Sequence, residues 1–195
     1  MSRHVEIFFD FLSPPSYLAW TQVPGMLERT GATATWRPMF TLGLHELTGN
    51  RSPITVPNKA KWVMNDLQLH AKKYGVTLTP NPNGFINILP ADRAAAFAET
   101  EGSVEQLMSS LYPAMWVEGR DLSDLDVLAE LIARAGLDAR AYLQAITTDA
   151  VKQRLKANTQ EAADRGAFGA PTFFVGDDLF FGQDRLEFVE AALSA

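Results

Sequence analysis

The amino-acid sequence predicts an α/β fold in which both ends of the chain supply strands to one sheet and a long all-helical insertion separates them. The chain opens with a strand, helix and strand pattern, and it closes with two strands and a helix. The residues between carry helical periodicity. The two strands at each end of the chain are too few to form a stable sheet alone. We therefore expect the strands of both ends to join into one sheet. We therefore predict a sheet-bearing domain of residues 1–40 and 167–195 and an inserted helical domain of residues 41–166.

The opening segment predicts a parallel strand pair connected by a helix. Residues 5–9 are a short apolar run of β-forming side chains, and residues 32–38 alternate small or aromatic with polar side chains. Between them, apolar residues recur at helical spacing from Ser16 onward, and Gly31 is placed to end the helix. Such a β-α-β unit favours parallel strands with a right-handed crossover.

The middle of the chain predicts one long loop followed by helices. Glycine and proline are dense over residues 41–58, which we interpret as a loop that leaves the sheet, and residues 79–90 are irregular for the same reason. Elsewhere, apolar side chains recur at spacings of three and four, and most of these stretches end at a glycine. They predict helices over residues 59–74, 91–101, 103–116, 123–135, 138–146 and 149–165.

The last thirty residues predict a hairpin and a closing helix. Residues 172–175 and 179–181 are apolar runs separated by Gly-Asp-Asp, a combination that is typical of a tight β-turn. Residues 183–193 return to helical spacing. These elements complete the second half of the predicted sheet.

Composition excludes several classes of protein. The 195 residues are 47% hydrophobic and 21% charged, which is typical of a soluble globular chain. Seventeen basic and 23 acidic side chains give a net charge of −6, so we expect no nucleic acid and no membrane as a partner. The absence of cysteine excludes disulfides, thiol catalysis and zinc-thiolate sites, and no metal is implied. No signal peptide or membrane helix is visible, so we expect a cytoplasmic protein.

Two short motifs are candidates for a functional site. Ser13-Pro14-Pro15-Ser16 places two hydroxyls at the predicted start of the first helix. They could simply cap that helix, or they could bind an anion or thiolate, because a helix N-terminus offers free N–H groups and a positive dipole. Pro171 precedes the third strand, either as an ordinary trans proline or with a cis bond that turns the backbone of Ala170 towards a ligand. We expect the cis bond, because the order of these features is that of the thioredoxin fold.

Three segments of the chain resemble the 2-hydroxychromene-2-carboxylate isomerases and the related kappa-class glutathione transferases. They read FFDFLSPPSYLAW, TGNRSPITVPNKAKWVMNDL and FGAPTFFVGDDLFFGQDRL. The resemblance runs over nearly the whole chain and implies a thioredoxin-like domain split by a helical insertion. Ser13 and Ser16 stand where disulfide oxidoreductases of this fold carry two cysteines, which excludes dithiol exchange.

The resemblance implies glutathione as the cofactor. The residue at Ser13 would hold and activate the glutathione sulfur, and the backbone of Ala170 would pair with the cysteinyl part. Pro15 replaces a residue that is often aromatic in the family, and it has no N–H, which leaves Ser13 and the Ser16 N–H as thiolate donors. The other residues assigned to glutathione are Phe181, Gly182, Gln183 and Asp184 at its γ-glutamyl end, and Asn50 and Pro57 at its glycine end.

The sequence defines the residues that would bind the substrate less well than those that would bind glutathione. Arg51, Lys59 or Lys61 could receive a substrate carboxylate, although such residues commonly form a solvated surface. Trp62 could line an aromatic pocket, and so could Trp116, although tryptophans are more often core residues.

The resemblance implies an enzyme that acts on a small aromatic substrate. It would interconvert 2-hydroxychromene-2-carboxylate and trans-o-hydroxybenzylidenepyruvate through a transient thiolate adduct, in aromatic-compound catabolism, and it would form a homodimer. Two alternatives remain open. One is a kappa-like glutathione transferase or peroxidase, and the other is a non-catalytic thioredoxin-fold module that only binds glutathione.

Overall fold

The computed structural model describes residues 3–194 and contains a four-stranded mixed sheet. Its strands are β1 (His4–Phe9), β2 (Thr33–Pro38), β3 (Thr172–Val175) and β4 (Asp178–Phe181), in the spatial order β2-β1-β3-β4. Strand β1 runs parallel to β2 and antiparallel to β3, and β3 forms an antiparallel hairpin with β4. Both ends of the chain therefore build one sheet, which confirms the predicted thioredoxin-like fold class.

Helix α1 (Pro14–Thr30) makes the crossover between the two parallel strands. Ser13 is its N-cap, and the two prolines that follow occupy its first turn, where a missing N–H breaks no helical hydrogen bond. Gly31 ends the helix with φ of 65°, and its N–H donates to the carbonyl of Leu27. The start of α1 is therefore anchored directly after β1.

The chain between β2 and β3 is helical, as predicted. Its helices are α2 (Thr41–Thr48), α3 (Pro57–Tyr74), α4 (Leu89–Glu101), α5 (Val104–Trp116), α6 (Leu125–Arg134), α7 (Ala139–Ala145) and α8 (Asp149–Asp164), with a short 3-10 turn over Pro53–Thr55. After the hairpin come a 3-10 turn (Gln183–Arg185) and α9 (Leu186–Ser194). The division into domains at residues 40/41 and 166/167 stays a prediction.

The predicted loop over residues 41–58 was wrong, because this stretch contains α2 and the start of α3. Gly43 lies inside α2, where an added Cβ would come within 3.1 Å of the Phe40 ring, so its lack of a side chain permits close packing. Leu44 is fully buried beside β1 and α8. Tertiary packing thus stabilises a helix that local glycine content argues against.

An ion network fastens the helical insertion to the sheet. Arg37 on β2 lies within 3.2 Å of Glu6 on β1, and at 2.8 and 2.7 Å from Glu99 on α4 and Glu161 on α8. Its side chain is 15% exposed, so these charges are only partly screened. The network fixes α4 and α8 against the sheet, which matters for the buried residues that α4 places near the candidate site.

None of the helices within residues 3–194 has both the length and the apolar character needed to cross a bilayer. In the same part of the chain, no group of three histidine, aspartate or glutamate side chains is arranged to hold a metal ion.

Candidate functional site

The two motifs singled out in the sequence meet through a single hydrogen bond. The hydroxyl of Ser13 donates to the carbonyl of Ala170 at 2.9 Å, across 157 residues of sequence. The same oxygen accepts from the Ser16 N–H at 3.2 Å, so Ser13 also caps α1. The two interpretations of Ser13 are therefore compatible, because one oxygen caps the helix and faces the start of the β3 segment.

The Ala170–Pro171 bond is cis, which confirms the prediction. Both residues are buried, and the Pro171 carbonyl accepts from the Gly182 N–H at 3.0 Å. The Thr172 hydroxyl donates to the Gly169 carbonyl at 2.8 Å. These bonds hold the backbone opposite Ser13 in one conformation.

The donors expected for a thiolate are already engaged in this structure. The Ser16 N–H, expected to be a second thiolate donor, donates to the Ser13 oxygen in this structure, and its role towards a thiolate stays a prediction. The Ser13 hydroxyl has one hydrogen, which it donates to Ala170. A sulfur that binds here must therefore displace the Ala170 carbonyl as the acceptor, which needs only a rotation of the hydroxyl.

Phe168 links the middle of the chain to the same place, and sequence reasoning missed it. The Asn50 side-chain amide donates to the Phe168 carbonyl at 2.7 Å. The Phe168 ring lies 4.5 Å from the Phe181 ring, centroid to centroid. An added Cβ on Gly169 would lie 2.7 Å from Phe181, so the glycine permits this approach. Asn50 and Phe181 are thereby brought to the segment that ends at Ala170.

The segment after β4 lies beside α1 and α3. Gln183 is buried, and its carbonyl accepts from the Tyr74 hydroxyl at 3.1 Å. Asp184 is more exposed and lines a cleft of about 310 Å³ formed by α1, α3 and α9. On α1 this cleft begins at Thr21, about two helical turns beyond Ser13. Gly182 therefore connects β4 to the turn whose Asp184 side chain lines this cleft.

The residues predicted for the substrate side lie on the surface. Pro57 occupies the first turn of α3 and is exposed, and Trp62 is 65% exposed, so a core position for Trp62 is excluded. Arg51, Lys59 and Lys61 are also exposed, and none of them belongs to an ion pair within residues 3–194. In the described part of the chain, neither Pro57 nor any of these three cationic residues makes a hydrogen bond to Ser13 or Ala170.

A set of buried polar groups lies beneath the start of α1, and the sequence analysis missed it. Asp10 accepts from the N–H groups of Leu12 and Thr41 at 2.7 and 2.8 Å. Asp92 on α4 accepts from the Phe11 N–H at 3.4 Å. Asp92 and Tyr112 have no exposed surface, and an acidic residue in an alanine-rich helix gives no local signal of such burial.

Burial sets the charge of these groups. It raises the pKa of Asp10, against the two backbone N–H groups that lower it. Burial raises the pKa of Asp92 well above the ordinary range, and the nearby Asp10 carboxyl adds to that effect. Two buried carboxyls this close do not both ionise, so Asp92, with one backbone donor against the two of Asp10, keeps the proton.

Comparison with known proteins agrees with this geometry. A DSBA-like thioredoxin domain matches residues 4–194. The chain is 34% identical to a 2-hydroxychromene-2-carboxylate isomerase of Sphingobium xenophagum over 99% of both chains. It is 26% identical to glutathione S-transferase kappa 1 of Rattus norvegicus, over 95% of this chain and 88% of the relative.

A solved structure supports the same relationship. The structure of a 2-hydroxychromene-2-carboxylate isomerase superposes with a TM-score of 0.84 at 27% identity, covering 97% of this chain and 94% of that one. The family match, the full-length relatives and the shared architecture agree. The chain belongs to the DSBA-like thioredoxin family, within the group of 2-hydroxychromene-2-carboxylate isomerases and kappa-class glutathione transferases.

Proposed function

We propose that this protein is a glutathione-dependent isomerase of the 2-hydroxychromene-2-carboxylate type. The observation that carries the proposal is the position of Ser13, whose hydroxyl caps α1 and lies 2.9 Å from the Ala170 carbonyl in a chain without cysteine. A thiol must then come from a ligand. The relatives are named as isomerases and glutathione transferases, which supports an enzyme and suggests which thiol it uses.

The site favours the thiolate form of such a ligand. A free thiol has a pKa of about 8.5, so only a few per cent is ionised at neutral pH. At the start of α1 the anion would meet the positive end of the helix dipole and one hydroxyl donor, and both lower the thiol pKa. Pro14 and Pro15 contribute no N–H there, so the Ser13 hydroxyl is the principal donor.

The chemistry that follows is addition and elimination. The hemiketal ring of 2-hydroxychromene-2-carboxylate first opens: its ring C–O bond breaks, the ring oxygen becomes the phenol, and the hemiketal carbon becomes the ketone of the cis isomer. The thiolate sulfur then forms a bond to the conjugated carbon of that ketone, and the electron pair of the double bond moves to the carbonyl oxygen. The former double bond is now single and can rotate. When the electrons return, the double bond forms again in the other geometry and the carbon–sulfur bond breaks. Glutathione leaves unchanged, as a cofactor.

The remaining predicted residues would hold the two molecules. Asp184 would accept from the γ-glutamyl ammonium, with Phe181, Gly182 and Gln183 beside it, and Asn50 and Pro57 would lie near the glycine end. Arg51, Lys59 or Lys61 would receive the substrate carboxylate, because these exposed cations have no ion-pair partner within residues 3–194. Trp62 would offer its exposed ring to the aromatic part of the substrate. A homodimer and a role in aromatic-compound catabolism are part of the proposal.

A kappa-like transferase or peroxidase is the second candidate, supported by the kappa-class relatives. Turnover assays with 2-hydroxychromene-2-carboxylate, chlorodinitrobenzene and cumene hydroperoxide, each with glutathione, separate the two. Isomerisation of the first compound supports the proposal. Conjugation or peroxide reduction without isomerisation supports the second candidate, and binding of glutathione with no turnover supports a binding module.

Glutathione should raise the melting temperature of the protein in a concentration-dependent way. A ligand at about 100 times its Kd that binds only the folded state adds about 2.7 kcal/mol, which corresponds to roughly 5–10 °C for a chain of this size. Asp184→Ala should require about tenfold more glutathione for the same shift, because a charge-assisted hydrogen bond is lost. Differential scanning fluorimetry measures both effects.

The matched control for that variant is Asp177→Ala, which removes an exposed carboxylate from the turn between β3 and β4. It should leave the glutathione dependence unchanged. Equal glutathione dependence in Asp184→Ala and wild type would contradict the pocket assigned to the γ-glutamyl end.

A further inference from the structure

The peptide group of Phe11 is held at both ends by side chains of the helical insertion. Its N–H donates to Asp92 Oδ1 on α4 at 3.4 Å, and its carbonyl accepts from Trp116 Nε1 on α5 at 3.0 Å. Asp92 is fully buried and Trp116 is 7% exposed. Buried hydrogen bonds between distant parts of a chain restrict the backbone they join. Side chains of the helical insertion thus restrain the loop between β1 and α1 at Phe11, two residues before Ser13.

The loop transmits this restraint to Ser13. Residues 10–13 connect β1 to α1, and the Ser13 N–H donates to the Asp10 carbonyl at 3.1 Å. The Leu12 N–H donates to the Asp10 carboxylate at 2.7 Å. Asp10 is bonded both within the loop and to the Thr41 N–H at the start of the insertion, whereas the Phe11 peptide is bonded to the insertion at both ends. A movement of Phe11 would therefore shift the Ser13 hydroxyl relative to Ala170.

The same region retains buried polar atoms without a protein partner. Asp92 Oδ2, the Ser16 hydroxyl and the Tyr112 hydroxyl are all buried, and none of them has a hydrogen-bond partner within residues 3–194. A buried polar atom without a hydrogen-bond partner lowers the free energy of unfolding. Three such atoms in one region therefore indicate a functional role, because packing alone would favour apolar side chains there. Because Asp92 is held as a neutral acid, it can accept from Phe11 without placing a second negative charge beneath a site for an anion.

We propose that Asp92 and Trp116 are positioning residues that clamp the Phe11 peptide and so hold Ser13 at the distance from Ala170 where a thiolate can replace the carbonyl. This inference rests on the proposed function, because it assigns Ser13 to the glutathione sulfur. It gives the helical insertion a direct part in thiolate formation. Trp116 acts through its indole N–H, as a donor to the loop rather than as the wall of an aromatic pocket.

Trp116→Phe is the principal test, because phenylalanine keeps an aromatic ring in the core but cannot donate to Phe11. We expect the pKa of bound glutathione, measured by ultraviolet titration of the thiolate, to rise by about half a unit to one unit, the worth of one net hydrogen bond. Asp92→Ala should raise the thiol pKa by a similar amount. Asp92→Asn should keep the wild-type thiol pKa, because the amide oxygen can still accept from the Phe11 N–H.

Tyr142→Phe is the matched control within the insertion. It removes the 2.7 Å bond between the Tyr142 and Ser103 hydroxyls, which shares no residue with the hydrogen bonds of the clamp. It should lower the melting temperature as Trp116→Phe does, but it should leave the thiol pKa unchanged. A thiol pKa that moves equally in Tyr142→Phe and Trp116→Phe, or in neither, overturns the clamp.

Amide hydrogen exchange on the ligand-free protein separates failure of the clamp from failure of the proposed function. Exchange at Leu12, Ser13 and Ser16 should be faster in Trp116→Phe than in Tyr142→Phe, and equal rates overturn the clamp. A wild-type protein that shows no thiolate with glutathione contradicts the proposed function, whatever the exchange rates are. If Asp92→Ala does not fold, Trp116→Phe decides, because its side chain is replaced by another aromatic ring.

Discussion

Ser13→Ala should lower the turnover of the proposed isomerase reaction at pH 7 by about ten- to a hundredfold, because a hydrogen bond to a charged partner is worth about 1.5–3 kcal/mol. The substitution removes the hydroxyl that donates to the Ala170 carbonyl. The pKa of bound glutathione should rise by roughly 1–2 units, and turnover should recover partly at higher pH. Ultraviolet titration of the bound thiolate in both proteins measures the shift directly.

The structure shows that Ser13 also caps α1, so the loss of stability must be separated from the loss of the donor. Thr148→Ala is the matched control, because Thr148 caps α8 by accepting from the Val151 N–H. Loss of either cap should cost about 1 kcal/mol of unfolding free energy. Only Ser13→Ala should move the thiolate titration. Identical titration curves in wild type and Ser13→Ala would show that Ser13 only caps α1 and would contradict its catalytic role.

Asp92→Asn should stabilise the protein, and the gain should grow with pH. The folded-state pKa of Asp92 is raised by burial, so the folded protein resists losing a proton that the unfolded chain gives up near pH 4. The wild-type protein therefore loses about 1.4 kcal/mol of unfolding free energy for each pH unit between those two pKa values. Asparagine has no side-chain proton that titrates in this pH range. The unfolding free energy of the variant therefore does not decrease for this reason.

Melting temperatures of wild type and Asp92→Asn between pH 4 and pH 9 test this prediction. Asp10 and Tyr112 are the titratable groups that face Asp92, and both proteins contain them. Because Asp10 is coupled to Asp92, the difference reports the titration of this carboxyl pair. Glu130→Gln is a control of opposite sign, because Arg120 lowers the pKa of Glu130 and its contribution disappears as the pH falls. A constant difference between wild type and Asp92→Asn over the whole range would show that Asp92 is ionised in the folded protein.

Most of the fold could be predicted because its signals are local. The hairpin follows from two apolar runs around Gly-Asp-Asp, and the ends of α1 and α3 follow from Gly31 and Gly75, which both adopt positive φ. Helix α2 could not be predicted, because its glycine-rich stretch is stabilised by packing of Leu44 against distant residues. Such contacts leave no trace in the spacing of neighbouring residues.

The candidate site was predictable in part. Ser13 and Ala170 each lie in a recognisable motif, and their order along the chain indicated that they belong to one fold. That Ser13 donates to Ala170, and that the Ser16 N–H is already occupied, depends on the placement of single atoms. The role of Phe168 as the partner of Asn50 also required coordinates, because a backbone carbonyl carries no side-chain signature.

The sequence alone determined the thioredoxin-like order of elements, the family and the lack of a protein thiol, because periodicity, motif order and composition are properties of the chain itself. Only the tertiary structure decided that Asp92 and Trp116 meet the Phe11 peptide and that Trp62 is exposed. The physical reason is that burial and hydrogen bonding are relations between residues far apart in sequence. An aspartate in a helix looks the same in the sequence whether it faces water or the loop before Ser13.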